Sequence, residues 1–239
     1  MSRYILVHGS NHGAWCWRDV IPLLKAGGHA VTAIDLPSHG EDNTPIADVS
    51  LDSYAQAVID EVSTSSEPVI LVGHSAAGIT IATVAERIPD KISRLIYLAA
   101  YAPKNGDSLS RMRKRAKRQL VIHAVELSQD RQSYTFDLEE APGIFYHDCS
   151  DEVIAYALPR LGPQAIAPQA TPVELGEAYE TVPRSFIIAS DDHTIPPEEQ
   201  ANIVAGWPEK DVYRLDCGHS AFFACPDKLV DLLTEISDG

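Results

Sequence analysis

The sequence of 239 residues predicts an α/β protein, with a mainly parallel sheet of about six strands, helices on both faces and a helical cap insertion. Three observations carry this. Strand-like apolar runs alternate with amphipathic helix patterns through residues 1–102 and again through 181–239. Most of those runs are near-continuously apolar, as strands buried on both faces require. Between residues 103 and 180 the rhythm fails, and Pro142, Pro159, Pro163, Pro168 and Pro172 punctuate polar stretches. That interval is too long for a structureless loop, so it is expected to form the cap, with 1–102 and 181–239 as the core.

In chain order, residues 4–8 read as a buried strand, followed by the glycine-punctuated loop His8-Gly9-Ser10-Asn11-His12-Gly13. Trp17, Val20, Ile21 and Leu24 recur at helical spacing, which predicts a helix over 15–25, with Pro22 marking a kink or a later start. Gly27 and Gly28 stop it. A strand over 30–36 precedes Ser50, a plausible N-cap. Leu51, Tyr54, Ala55, Val58, Ile59 and Val62 then mark one face of an amphipathic helix. A strand over 69–74 runs into a helix over 76–87, and another strand covers 92–100. Inside the expected cap, 152–158 is helical in pattern. Strands over 184–190 and 211–216 and helices over 196–205 and 226–236 complete the core.

Charge narrows the partners. Nineteen Lys and Arg face 34 Asp and Glu, a net charge of −15. That disfavours nucleic acid and anionic membranes. No apolar run approaches the ~18 residues of a membrane span, and the N-terminal residues enter a strand pattern without a basic leader. One cluster opposes the acidic trend: Arg111, Arg113, Lys114, Arg115, Lys117 and Arg118. It reads as a solvated helix face, with a patch for an acidic ligand as the alternative. Cys16, Cys149, Cys217 and Cys225 show neither a CxxC pair nor metal-ligand spacing. Reduced thiols in a cytoplasmic protein, with no metal and no cofactor, are the simplest expectation.

Three polar residues stand at or just after strand ends. In a parallel sheet those ends share one edge, where ligands bind. Ser75 follows an apolar run and precedes a helix, the pattern of a nucleophile exposed on a sharp turn. Serine is a weak nucleophile and needs a positioned base. His219, on a glycine-flexed loop, suits that role. An acid after residue 190 would orient the histidine, and both Asp191 and Asp192 are available. The strict G-x-S-x-G pattern is broken by Ala77, with Gly78 one residue later. Backbone N–H groups at Ala76 and Ser10 are the expected oxyanion donors. His12, His74 and Phe222 are the expected pocket residues, and His8 and His193 lie near the same edge.

Together these stretches resemble the α/β-hydrolase superfamily, above all the plant methylesterase and hydroxynitrile lyase group and related bacterial esterases. The carriers are residues 7–17, Leu71-Val72-Gly73-His74-Ser75, Asp192-His193-Thr194-Ile195-Pro196 and Gly218-His219. The resemblance implies that the aspartate stands four residues before the proline, which selects Asp192 over Asp191. It also implies threonine at Gly9 and lysine at Ser220 in a lyase of this type, and this chain has neither. The expected activity is therefore hydrolysis of a small carboxylic ester through an acyl-enzyme on Ser75. The alternatives are a carbon–carbon lyase and a ligand receptor that keeps the triad.

Overall fold

A computed structural model describes residues 1–239. Six strands form the main sheet: β1 (Arg3–Val7), β2 (Ala30–Ile34), β3 (Val69–His74), β4 (Ile92–Leu98), β8 (Arg184–Ala189) and β9 (Val212–Leu215). Their spatial order is β2-β1-β3-β4-β8-β9, and every pairing is parallel. The strands are apolar on both faces because both faces are covered. Tyr4, Leu6, Ile70, Val72, Ile96 and Ile187 point into one core with α1 (Val20–Ala26) and α11 (Pro226–Asp238). The alternate residues Ile5, Val7, Leu71, Leu95, Phe186 and Ile188 point into the other, with α2 (Leu51–Ser63) and α3 (Ala77–Arg87).

The order sets the position of the site. The chain goes from β1 outward to β2, then returns to place β3 on the opposite side of β1. Loops leaving β1 and β3 therefore diverge, and they open a crevice at the C-terminal strand ends. The loops after β1 and β3 carry Ser10 and Ser75.

Local chemistry accounts for most boundaries. Ser50 caps α2: its Oγ accepts from Ser53 N–H at 3.0 Å, and Ser53 Oγ accepts from Ser50 N–H at 2.9 Å. The helix expected over 15–25 splits into a 3-10 turn, Ala14–Trp17, and α1 from Val20. Pro22 then falls in the first turn, where its missing N–H has no intrahelical partner to lose. The strand expected to reach residue 100 ends at Leu98, because Ala99 turns to φ 43°.

The stretch between β4 and β8 is less uniformly helical than expected. It holds α4 (Leu109–Arg115), α5 (Ala141–Phe145), α6 (Asp151–Ala157), α7 (Ile166–Ala170) and α8 (Glu177–Thr181). It also forms a small antiparallel sheet of β5 (Val125–Leu127), β6 (Ser133–Phe136) and β7 (Gln164–Ala165). These strands are two to four residues long, too short to show a period in sequence. In the second half of the core, α9 (Pro197–Ile203) lies between β8 and β9, and α10 (Ala221–Ala224) precedes α11. No helix is long and apolar enough to cross a membrane.

Candidate active site

Ser75 sits at the tight corner between β3 and α3. Its φ is 53°, a left-handed value unusual for a residue other than glycine. The corner is held from both sides. Ser75 N–H donates to Leu98 C=O at 3.2 Å, while Ser75 C=O accepts from Gly78 N–H at 3.2 Å and Tyr101 N–H at 3.1 Å. Gly78 is required here: a Cβ would lie 2.2 Å from Tyr101 O. The close approach that glycine permits is thus displaced one residue from the usual motif position. Ala77 sits in the core instead.

His219 follows β9, and its Nδ1–H donates to Asp192 Oδ2 at 2.8 Å. Both side chains are buried, with 2% and 0% exposure. Asp192 receives three further bonds. Its Oδ1 accepts from Thr194 N–H at 2.6 Å and Ile195 N–H at 2.9 Å, and its Oδ2 accepts from Gln200 Nε2 at 2.8 Å. Four donors on one carboxylate fix the orientation of the oxygen that holds His219. Gln200 is completely buried, and its Oε1 also accepts from Ala189 N–H at 3.1 Å. Sequence reading missed Gln200. Its one signal is a glutamine falling on the inward face of the helix after the aspartate.

Asp191 points elsewhere. It is exposed, and it pairs with His147 at 3.1 Å and His193 at 3.8 Å. His193 therefore lies on the surface beside Asp191.

Ser75, His219, Ser10, Ala76, His12 and His74 line one cavity. The backbone N–H groups of Ser10 and Ala76 find no acceptor within the protein, so both are free to meet a developing oxyanion. His12 secures the first loop: its Nδ1–H donates to Ser10 C=O at 2.8 Å, and its Nε2 accepts from Tyr146 OH at 2.7 Å. Burial pushes His12 down to about 4. His74 Nε2–H donates to His219 C=O at 3.0 Å, pinning the backbone of that histidine. Burial, followed by the nearby His219, holds His74 well below the usual histidine range.

One expectation changes. Phe222 is not on the cavity wall. It is completely buried behind His12 and His74, in edge-to-face contact with both rings. It stands one residue inside α10, which faces the core under the sheet edge. His8 is a staple of the β1 end: its Nδ1–H donates to Gly9 C=O and its Nε2 accepts from Leu36 N–H. The apolar wall comes instead from the intervening segment, through Leu109, Val121, Tyr134, Phe136 and Phe145. Tyr134 and Phe136 alternate along β6, a two-residue signal too short to read.

The intervening segment is latched to the β1 loop. Asn11 Nδ2 donates to Tyr134 C=O at 3.2 Å and Gly162 C=O at 2.9 Å, and Gln169 Nε2 donates to Ser10 Oγ at 2.7 Å.

Comparison with known proteins gives a consistent result. Residues 4–232 match the model of the alpha/beta hydrolase family. Methylesterase 8 of Arabidopsis thaliana is 32% identical over 242 residues, covering 98% of this chain and 89% of that protein. The structure is similar to a pyrethroid hydrolase from Sphingobium faniae, with TM-score 0.90, 26% identity and coverage of 100% and 98% of the two chains. It is also similar to a methylesterase from Arabidopsis, with TM-score 0.88, 27% identity and coverage of 100% and 99%.

Proposed function

The chain belongs to the alpha/beta hydrolase family, and we propose that it is a serine hydrolase of small carboxylic esters with Ser75, His219 and Asp192 as its triad. One observation carries the reading. The strained Ser75 shares its cavity with His219, which is locked to Asp192, and with the unclaimed N–H groups of Ser10 and Ala76.

Ser75 Oγ attacks the ester carbonyl, and His219 takes its proton at Nε2, the ring nitrogen that Asp192 leaves free. The Ser10 and Ala76 N–H groups stabilise the tetrahedral oxyanion. His219 returns the proton to the departing alcohol. Water, deprotonated by His219, then attacks the acyl-enzyme and releases the acid. The nucleophile, base and oxyanion donors all come from the chain, so these steps draw on no metal or cofactor.

We assign residues 1–102 and 181–239 to the catalytic core and 103–180 to a cap. The cavity wall formed by Leu109, Tyr134 and Phe145 supports that division. The four free cysteines suit a cytoplasmic setting, and the charge of −15 suits a small-molecule substrate rather than nucleic acid or an anionic membrane.

Packing weighs against the lyase alternative. A Cβ at Gly9 would lie 2.8 Å from Ser75 Cβ and 2.9 Å from His74 Nδ1, so threonine has no room there in this arrangement. The test is turnover of short methyl and aryl esters, beside a cyanohydrin, by wild type and Ser75→Ala. Ester kcat/KM should fall by a factor on the order of 10⁴ in the variant, with an unchanged circular dichroism spectrum. Equal activity in both proteins would refute the assignment. Cyanohydrin cleavage without ester turnover would favour the lyase, and binding without turnover the receptor.

A further inference from the structure

We propose that Arg113 forms an anion subsite within the catalytic cavity, so that the preferred substrate is a half-ester of a dicarboxylic acid, esterified at one end and ionised at the other. The inference rests on the esterase reading above and names the substrate class of that same site.

Arg113 lies on α4 and is half-buried. It lines the cavity that holds Ser75, Ala76 and His219. The other arginines of the basic run are engaged elsewhere, and Lys114 and Lys117 are exposed. Arg115 bonds Asp107 at 2.5 Å, Arg118 bonds Glu198 at 2.7 Å, and Arg111 donates to Gly106 C=O at 2.7 Å. The Arg113 guanidinium takes part in none of the ion pairs or side-chain hydrogen bonds of the protein. Carboxylates outnumber cations by 34 to 19 in this chain, so the lack of a partner does not reflect a shortage of acids. Asp107 and Glu199 border the adjoining cavity that Arg113 also lines, but Asp107 accepts from Arg115 and Lys104 N–H, and Glu199 accepts from Lys117 N–H.

The rest of the catalytic cavity wall is largely apolar. A half-buried cation against such a wall loses hydration without gaining a counter-ion. A ligand carboxylate would offset that loss, because its two oxygens match the guanidinium fork. One guanidinium matches one negative charge, which favours a carboxylate over a phosphate dianion. With the ester carbonyl between Ser10 and Ala76, the far carboxylate would reach toward α4. The basic run thus divides into residues paired or exposed at the surface and one unpaired arginine on the wall of the catalytic cavity.

The test compares monomethyl succinate, glutarate and adipate with methyl pentanoate, hexanoate and heptanoate, their uncharged counterparts of similar length. Wild type, Arg113→Gln, Arg113→Lys and Arg118→Gln are assayed for kcat/KM. At least one half-ester should be preferred over its uncharged counterpart in wild type. That preference should fall by about 10- to 100-fold in Arg113→Gln, the range expected for a lost charge-assisted bond, mainly through KM. Arg113→Lys should recover part of it, and Arg118→Gln should retain it. Preference for the uncharged esters throughout, or an equal preference in wild type and Arg113→Gln, would overturn the inference while leaving the esterase reading intact. Failure of all six esters would overturn both.

Discussion

Acidification should destabilise this protein through the histidines packed around its site, and His12 allows the effect to be sized. In the unfolded chain His12 takes up a proton near the ordinary value of 6.5, whereas burial in the fold pushes it down to about 4. Between those values the unfolded state binds more protons, so stability is fully present above pH 6.5 and is lost as the pH falls toward 4. From pH 7 to about pH 4.5, this one group should cost about 2 kcal/mol of folding free energy. His8 and His74 are held well below the usual range, chiefly by burial, and His39 is lowered as well, so all three act with the same sign. Urea unfolding of wild type and His12→Gln, followed by circular dichroism at the two pH values, isolates the His12 share. The variant loses hydrogen bonds to Ser10 and Tyr146 at every pH, so only the change with pH is compared. It should lose about 2 kcal/mol less than wild type on acidification. An equal loss in both proteins would show that His12 does not remain neutral in the fold, and would refute the reasoning.

Two further outcomes test the frame around Ser75. Gly78→Ala places a Cβ 2.2 Å from Tyr101 O, on a backbone already tied to Ser75 C=O. It should cost on the order of 3 kcal/mol, a fall in Tm of roughly 6–12 °C for a domain of this size. Gly143→Ala, where nothing lies within 4 Å, is the control; a similar Tm for the two variants would contradict the close approach. Gln200→Leu strips one donor from Asp192 and leaves Ala189 N–H without its acceptor. Urea unfolding should register a loss of about 1–3 kcal/mol per unpaired buried group. Ester turnover should show a lower kcat, and an unchanged kcat would mean that the clasp on Asp192 does not orient His219.

Much of the fold was legible because its signals are local. A strand buried on both faces is apolar at successive positions, and β1, β3, β4 and β8 each show this over four consecutive residues. The capping residue Ser50 and the apolar stripe of α2 are equally local. The serine between β3 and α3 was legible for the same reason. Asp192 was harder: it and Asp191 are equivalent in sequence, and the resemblance selected between them. In the fold they separate sharply, since one carboxylate is buried and meets four donors while the other faces solvent beside His147.

The sequence by itself determined the alternation of strands and helices, the polar residues at the strand ends and the serine on its sharp turn. Each follows from residues adjacent in the chain. Tertiary structure alone decided what surrounds that serine. Gln200 reaches Asp192, Phe222 retreats behind His74, Tyr134 and Phe136 close the wall, and Arg113 lines the cavity unpaired while Arg115 and Arg118 pair outside it. These outcomes depend on which distant segments meet across the β1–β3 crevice. Short strands and single helical turns carry too few residues for a periodic pattern to encode such meetings, so side-chain direction there is set by packing and by the competition for partners.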